Sequence, residues 1–163
     1  MVSALFLKAA YVLGVLSLPF SLGIFKSCNR TSPEYEAFFA QDWDTQRQQA
    51  KEFPIEKQIE YCLAGKRYVH PPNYIMFYVI ADRGKQAVPP VIAKMKRAEN
   101  DSDKLELLDL VLNIHEFHED LSSDKQVIDQ LTAIVGSITD PDRKAKAEAM
   151  LTDIKRPRER PSN

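Results

Sequence analysis

The stretch Tyr74-Ile75-Met76-Phe77-Tyr78-Val79-Ile80-Ala81 decides the fold. Eight apolar residues run without interruption, which suits a buried strand as well as a buried helix, and periodicity alone does not separate the two. The surroundings do. No other segment reads as a good strand to pair with it, and Gly84 follows as a C-terminal helix cap. The segment is therefore read as a helix, and the chain as all-α.

On the C-terminal side the helical signals continue. Pro89 and Pro90 open a helix whose apolar face is Val88, Val91, Ile92 and Met95. Residues 100–103 read as a polar turn. The run from Leu105 to Phe117 is apolar around most of a helix, leaving Glu106, Asp109, Asn113, Glu116 and Asp120 as a polar stripe. Such a helix belongs at the centre of the fold. Ser123 and Gln126 form a capping box before the stripe Val127, Ile128, Leu131, Ile134, Val135 and Ile138. Asp140-Pro141 begins a last helix that reaches about Lys155.

On the N-terminal side Ser32-Pro33-Glu34 is a helix start. That pattern has a possible break near Asp42 and stops at Pro54. Ile55, Ile59, Cys62 and Leu63 then make a stripe that Gly65 is expected to cap, with residues 66–73 as a connection. The domain so delimited covers residues 32–155. Residues 156–163 read as a polar, disordered tail.

Composition narrows the function classes. The chain has 163 residues, 44% hydrophobic and 28% charged, with a net charge of −1. That excludes an obviously disordered chain and a polybasic nucleic-acid binder. Two cysteines, Cys28 and Cys62, make neither a disulfide-dense scaffold nor a four-ligand zinc site. Five glycines argue against a Gly-rich phosphate loop, and neither a serine nucleophile elbow nor a dinucleotide-binding glycine pattern occurs. No cofactor is expected.

Residues 1–27 read as an address. Ala9 to Phe25 is a run of 17 residues without a charge, flanked by Lys8 and Lys26. This is at the short edge of a membrane-spanning helix and the long edge of a signal-peptide core. Three fates compete: a retained anchor, cleavage near the small residues Ser21 and Gly23, and lipidation of Cys28. The match to a lipobox is incomplete, because Phe25 and Lys26 stand where smaller residues belong. Without Lys8 and Lys26 the basic residues fall from 22 to 20, against 23 acidic ones, which leaves a body of net charge −3. The expectation is a membrane-associated protein with an extracytoplasmic body, placed in the cell envelope if bacterial.

The residues from Ile80 to Ile92, Ile-Ala-Asp-Arg-Gly-Lys-Gln-Ala-Val-Pro-Pro-Val-Ile, resemble the centre of a HEAT-type helical repeat. There a first helix ends at glycine, and an Ala-Val-Pro segment leads into the second. The resemblance implies short antiparallel helical hairpins stacked as a right-handed solenoid or closed into a compact bundle. It also implies protein binding, and nothing in it implies catalysis.

Four groups of residues are candidate sites. His115, His118 and Glu119 sit at helical spacing and are candidate ligands for a divalent metal; the competing reading is a polar helix end favoured by the dipole. Tyr68, His70, Tyr74, Phe77 and Tyr78 concentrate aromatic rings around Pro71-Pro72. Phe77 and Tyr78 are read as core, whereas Tyr68 and His70 are open between core and partner docking. Glu106, Asp109 and Glu116 either face a basic partner or form a solvated stripe. Cys62 is read as a buried, inert thiol, with a disulfide to Cys28 as the alternative. Taken together these point to a non-enzymatic module that binds a protein partner, meets the membrane through its N-terminal segment and binds no nucleic acid. The alternatives are a bacterial envelope inhibitor or immunity-type protein, a metal-binding protein using the His115–Glu119 cluster, and a self-associating envelope component.

Overall fold

The computed structural model describes residues 32–158. The address reading of residues 1–27, the lipidation of Cys28 and residues 159–163 of the tail lie outside the described residues. Within them the chain is all-α, with eight α-helices and no strand. These are α1 (Pro33–Phe39), α2 (Trp43–Glu52), α3 (Ile55–Tyr68), α4 (Ile75–Ala81), α5 (Val88–Arg97), α6 (Asp101–Phe117), α7 (Lys125–Gly136) and α8 (Pro141–Lys155), with a 3₁₀ turn over Gly84–Ala87 before α5. None of the described helices is long and apolar enough to cross a membrane.

Most helices start where a side chain satisfies a free backbone amide. Asp42 accepts from Thr45 N at 3.0 Å, Asn100 from Asp103 N at 2.8 Å and Asp140 from Arg143 N at 2.9 Å. Packing then follows two rows. α1, α3, α5 and α7 touch in that order, and α2, α4, α6 and α8 do the same. Across the rows α3 pairs with α4, α5 with α6 and α7 with α8. One hydrophobic core runs through the domain, from Phe38 to Ile154.

The expected helix over residues 74–81 is present, and six of the seven α4 side chains are buried. The central role of the run from Leu105 also holds as far as Ile114, with Leu107, Leu108, Leu110, Val111 and Ile114 buried in α6, whereas Phe117 at its end is 64% exposed. Four boundaries differ from expectation. Helix α4 is capped by Asp82, and Gly84, at a φ of 57°, instead opens the 3₁₀ turn that follows. The segment Asn100–Asp103 is not a turn; Asn100 is the cap and helix α6 starts at Asp101. The cap of α7 is Asp124 rather than Ser123, because its carboxylate accepts from Val127 N at 3.2 Å and also pairs with Lys85 at 2.8 Å. Gly65 ends nothing, since α3 runs on to Tyr68.

Gly65 serves a close approach instead. The α3–α4 connection crosses over it, and Asn73 N donates to Gly65 O at 3.1 Å. A Cβ on residue 65 would lie 2.8 Å from Asn73 O and 3.1 Å from Phe39 Cζ. Asn73 itself is buried; its side-chain amide donates to Gln46 Oε1 at 2.9 Å, and its Oδ1 accepts from Ile75 N at 3.0 Å. These bonds fix the start of α4 against α2. At the other end of the domain Asp101 fixes the α7–α8 turn. Its Oδ2 accepts from Thr139 N at 2.9 Å, Thr139 Oγ1 at 2.8 Å and Asp140 N at 3.0 Å. Those bonds, from Asp140 N first, hold the carboxyl of Asp101 well below the usual aspartate range.

Two outcomes are expected. Gly65→Ala costs about 1–3 kcal/mol, because a methyl meets backbone that must move. Gly136→Ala, where a Cβ meets nothing within 4 Å, gains about 0.5–1 kcal/mol of helix stability. Urea unfolding of the two variants checks both signs. For Asp101 the folded state holds the lower pKa, so its contribution is complete above the unfolded value of about 3.9 and declines as pH falls below it. Melting temperatures of wild type and Asp101→Asn should therefore differ most near neutrality and converge in acid; a gap that widens in acid contradicts this account.

Candidate functional site

Helix α4 is apolar on almost every side, so most of its residues must be buried. Tyr78 alone is exposed, at 53%. This corrects its assignment to the core, whereas Phe77 is buried at 6% exposure as expected. Tyr74 precedes α4 by one residue and is 40% exposed. Tyrosine suits such positions because its ring packs while its hydroxyl stays wet. Sequence carries a sign of this that a reading by hydrophobicity misses. Tyr74, Tyr78 and Asp82 recur every fourth residue, and they are the polar-headed members of an otherwise apolar segment.

Helix α2 supplies a third exposed ring. Trp43 is 57% exposed in its first turn. The two helices run parallel: Gln46 meets Asn73 near their N-terminal ends, and Arg83 donates to Phe53 O at 3.4 Å near their C-terminal ends. Arg47 of α2 pairs with Asp82 at 3.5 Å. Trp43 lies one turn before Arg47, and Tyr78 one turn before Asp82, so each ring is the helical neighbour of one member of that pair. Nothing in the pattern of α2 had singled out Trp43, whose only mark was the four-residue spacing to Arg47.

Beside this face Lys66 reaches from α3 to α6. Its ammonium bonds Glu106 and lies 3.3 Å from Asp109 Oδ2, with the ring centroids of Phe77 and Tyr74 at 4.8 and 5.2 Å. The Lys66 side chain is only 10% exposed. Burial alone pulls its pKa down, but the hydrogen bond it donates to Glu106 and the charges of Glu106 and Asp109 outweigh that and raise it. Glu106 and Asp109 are thus partly engaged within the chain, while keeping 36% and 42% of their side-chain surface exposed. Glu116 is exposed further along α6. Tyr68 is half-buried and His70 exposed, both away from the Tyr74–Tyr78 stripe along the chain; Tyr68 lines a cleft between α3 and α5 with Tyr35 and Arg67.

The His115–Glu119 cluster does not assemble. Helix α6 ends at Phe117, so His118 caps it and Glu119 and Asp120 lie beyond it. His115 is buried, and its Nδ1 accepts from Leu121 N at 3.1 Å. His118 and Glu119 are exposed; Glu119 lies against Gly84. Among the described residues no group of three His, Cys, Asp or Glu side chains is placed to hold a metal ion. His115 is instead the acceptor that shapes the α6–α7 turn, with Asp120 nearby at 3.7 Å. Asp120 is held low, chiefly by the side-chain hydrogen bond from Ser122, and its other oxygen accepts from Arg158 N at 3.3 Å. The first tail residues are therefore engaged against α6. Cys62 is a buried free thiol whose pKa burial pushes up to about 12, which leaves it protonated and a poor nucleophile.

A cleft of about 300 Å³ lies between α5 and α7, floored by Val88, Ile92 and Val127. Its rim is closed by Lys85 on Asp124 and by Lys96 on Gln130 at 2.7 Å. No pair of catalytic groups converges on it. The chain matches no protein-family model, no curated protein and no solved structure.

Replacing His115 tests the structural role directly. His115→Ala strands the Leu121 amide and should cost about 1–3 kcal/mol in chemical denaturation. The loss should be the same in chelator and in zinc. A zinc-dependent rise in the wild-type melting temperature, absent from the variant, would restore the metal reading.

Proposed function

We propose that this chain is a non-enzymatic protein-interaction module: a HEAT-like stack of helical hairpins that docks another protein. The single observation that carries the reading is the exposure of three large rings, Trp43 on α2, Tyr78 on α4 and Tyr74 at the start of α4, on helices that are neighbours in the stack. Large aromatic side chains dominate the energetics of protein interfaces, and a stable soluble surface has little other use for three of them together. The alternation of helices between two rows supports the stacked-hairpin reading, since each hairpin buries its apolar face against the next. Residues 1–27, with their uncharged run, are proposed to place the module at a membrane or export it, and the body to work outside the cytoplasm.

The test is site-specific photo-crosslinking of the full chain in its native cell. A benzophenone amino acid at Tyr78 is expected to give a discrete adduct with one protein, and the same group at the exposed Lys146 of α8 to give none. Equal adducts from both positions, or none from either, refute the proposal.

A further inference from the structure

The cleft between α5 and α7 joins an apolar interior to a cation that no acid neutralises. Its floor is Val88, Ile92 and Val127, and Pro89 and Ala93 keep part of the α5 wall in contact with solvent. Water in such a slot finds few partners, so an apolar group of the right size gains by displacing it. The volume of about 300 Å³ is twice the volume of about 150 Å³ that takes a benzene ring in an engineered cavity. An apolar body of about eight carbons fits that space.

The two ends of the cleft differ in charge. Lys85 meets Asp124 ahead of both helices, and Lys96 meets Gln130 further along both, so α5 and α7 run parallel. At the first end the fold supplies its own carboxylate. Asp124 takes Lys85 at 2.8 Å and caps α7 by accepting from Val127 N at 3.2 Å. Glu119, against Gly84, adds a second acid there. At the other end Lys96 donates to the neutral amide of Gln130 at 2.7 Å, and among the described residues no carboxylate lies within ion-pair distance of it. Its acidic neighbours are accounted for. Asp129 pairs with Lys125 at 2.6 Å, and Glu99 stands past the end of α5 and outside the cleft. Lys94 and Arg97 face Glu56 and Glu60 in a separate cleft toward α3. The carbonyl end of α5 carries about half a negative charge, which leaves the Lys96 end net positive.

We infer that the α5–α7 cleft binds a small amphiphilic carboxylate, its apolar body on Val88, Ile92 and Val127 and its head group on Lys96. Lys96 then exchanges a neutral acceptor for a charged one, which makes the stronger hydrogen bond. One cation matches one carboxylate, whereas a phosphate dianion would stay half unpaired. The acids at the Lys85 end repel the head group and so fix the direction in which the ligand lies. None of the three exposed rings lines this cleft, so the site goes beyond the docking reading and does not depend on it.

The experiment is an NMR titration of the full chain, methyl-labelled at isoleucine, leucine and valine, with sodium octanoate. The methyl resonances of Ile92 and Val127 should shift and saturate, while those of Ile154 in α8 stay in place. Lys96→Met keeps the apolar stem and removes the charge. It should raise the Kd for octanoate about fivefold and leave that for octanol, the uncharged analogue, unchanged. Ala93→Phe fills the slot and should abolish the shifts. Lys96 is exposed, so Lys96→Met should keep the wild-type melting temperature, and it decides alone should Ala93→Phe not fold. Octanoate that moves neither methyl, an affinity indifferent to Lys96→Met, or octanol binding as tightly as octanoate overturns the inference. Binding that persists in a folded Ala93→Phe variant lies elsewhere in the chain and overturns it as well.

Discussion

The burial of α6 along nearly its whole length is the constraint that organises the domain. Leu107, Leu110, Val111 and Ile114 are fully buried, and Leu108 is nearly so. Each such side chain contributes about 2 kcal/mol on leaving water. A helix with that much apolar surface needs neighbours on several sides, and it has α4, α5, α7 and α8. A second requirement follows from the first: a buried helix brings its polar groups with it, and every one of them needs a partner. Asn100 caps the start, Asp101 is spent on the α7–α8 turn, Glu106 and Asp109 take Lys66, and His115 closes the far end. The polar stripe of α6 is in large part the wiring that holds neighbouring elements in place.

That double use explains which parts of the molecule were legible in its sequence. Apolar runs reported the core well, because burial is set by hydrophobicity and period, which are local properties. The helix over residues 74–81, the central position of residues 105–117 and the break at Asp42 all follow from them. The misreadings share a different cause. Gly65 looks like a cap in sequence, but its lack of a side chain answers to Asn73 and Phe39, which approach it from other elements. Ser123 and Asp124 are both good capping residues, and the choice between them is made by Lys85, far away in the chain. His115 and Glu119 share a helical face only if the helix continues, and it stops because the Leu121 amide turns back onto His115. The first two depend on partners distant in the chain, and the third on a turn whose closure the residue pattern alone does not reveal.

The exposure of Tyr78 escapes a reading by hydrophobicity for a related reason. A continuous apolar run suggests that every member is inside, but a helix packed in a two-row stack still keeps one edge toward solvent. Tyr78 occupies that edge on α4, and its hydroxyl makes the position tolerable. Trp43 carries no such hydroxyl, so its 57% exposure leaves more apolar surface wet than folding alone favours.

The same logic separates the two kinds of charge on this surface. Lys66 shows how strongly the fold can hold a cation: burial opposes its charge, yet the surrounding carboxylates leave it more firmly protonated than a free lysine. The neighbouring acids are nevertheless not fully spent, because Glu106 and Asp109 keep a third or more of their side chains in water. One ammonium between two carboxylates leaves a residual negative charge beside Tyr74. The cluster is thus closed by contacts within the chain while its acids still face water, so that Lys66 fixes α3 against α6 without neutralising that edge of the helix.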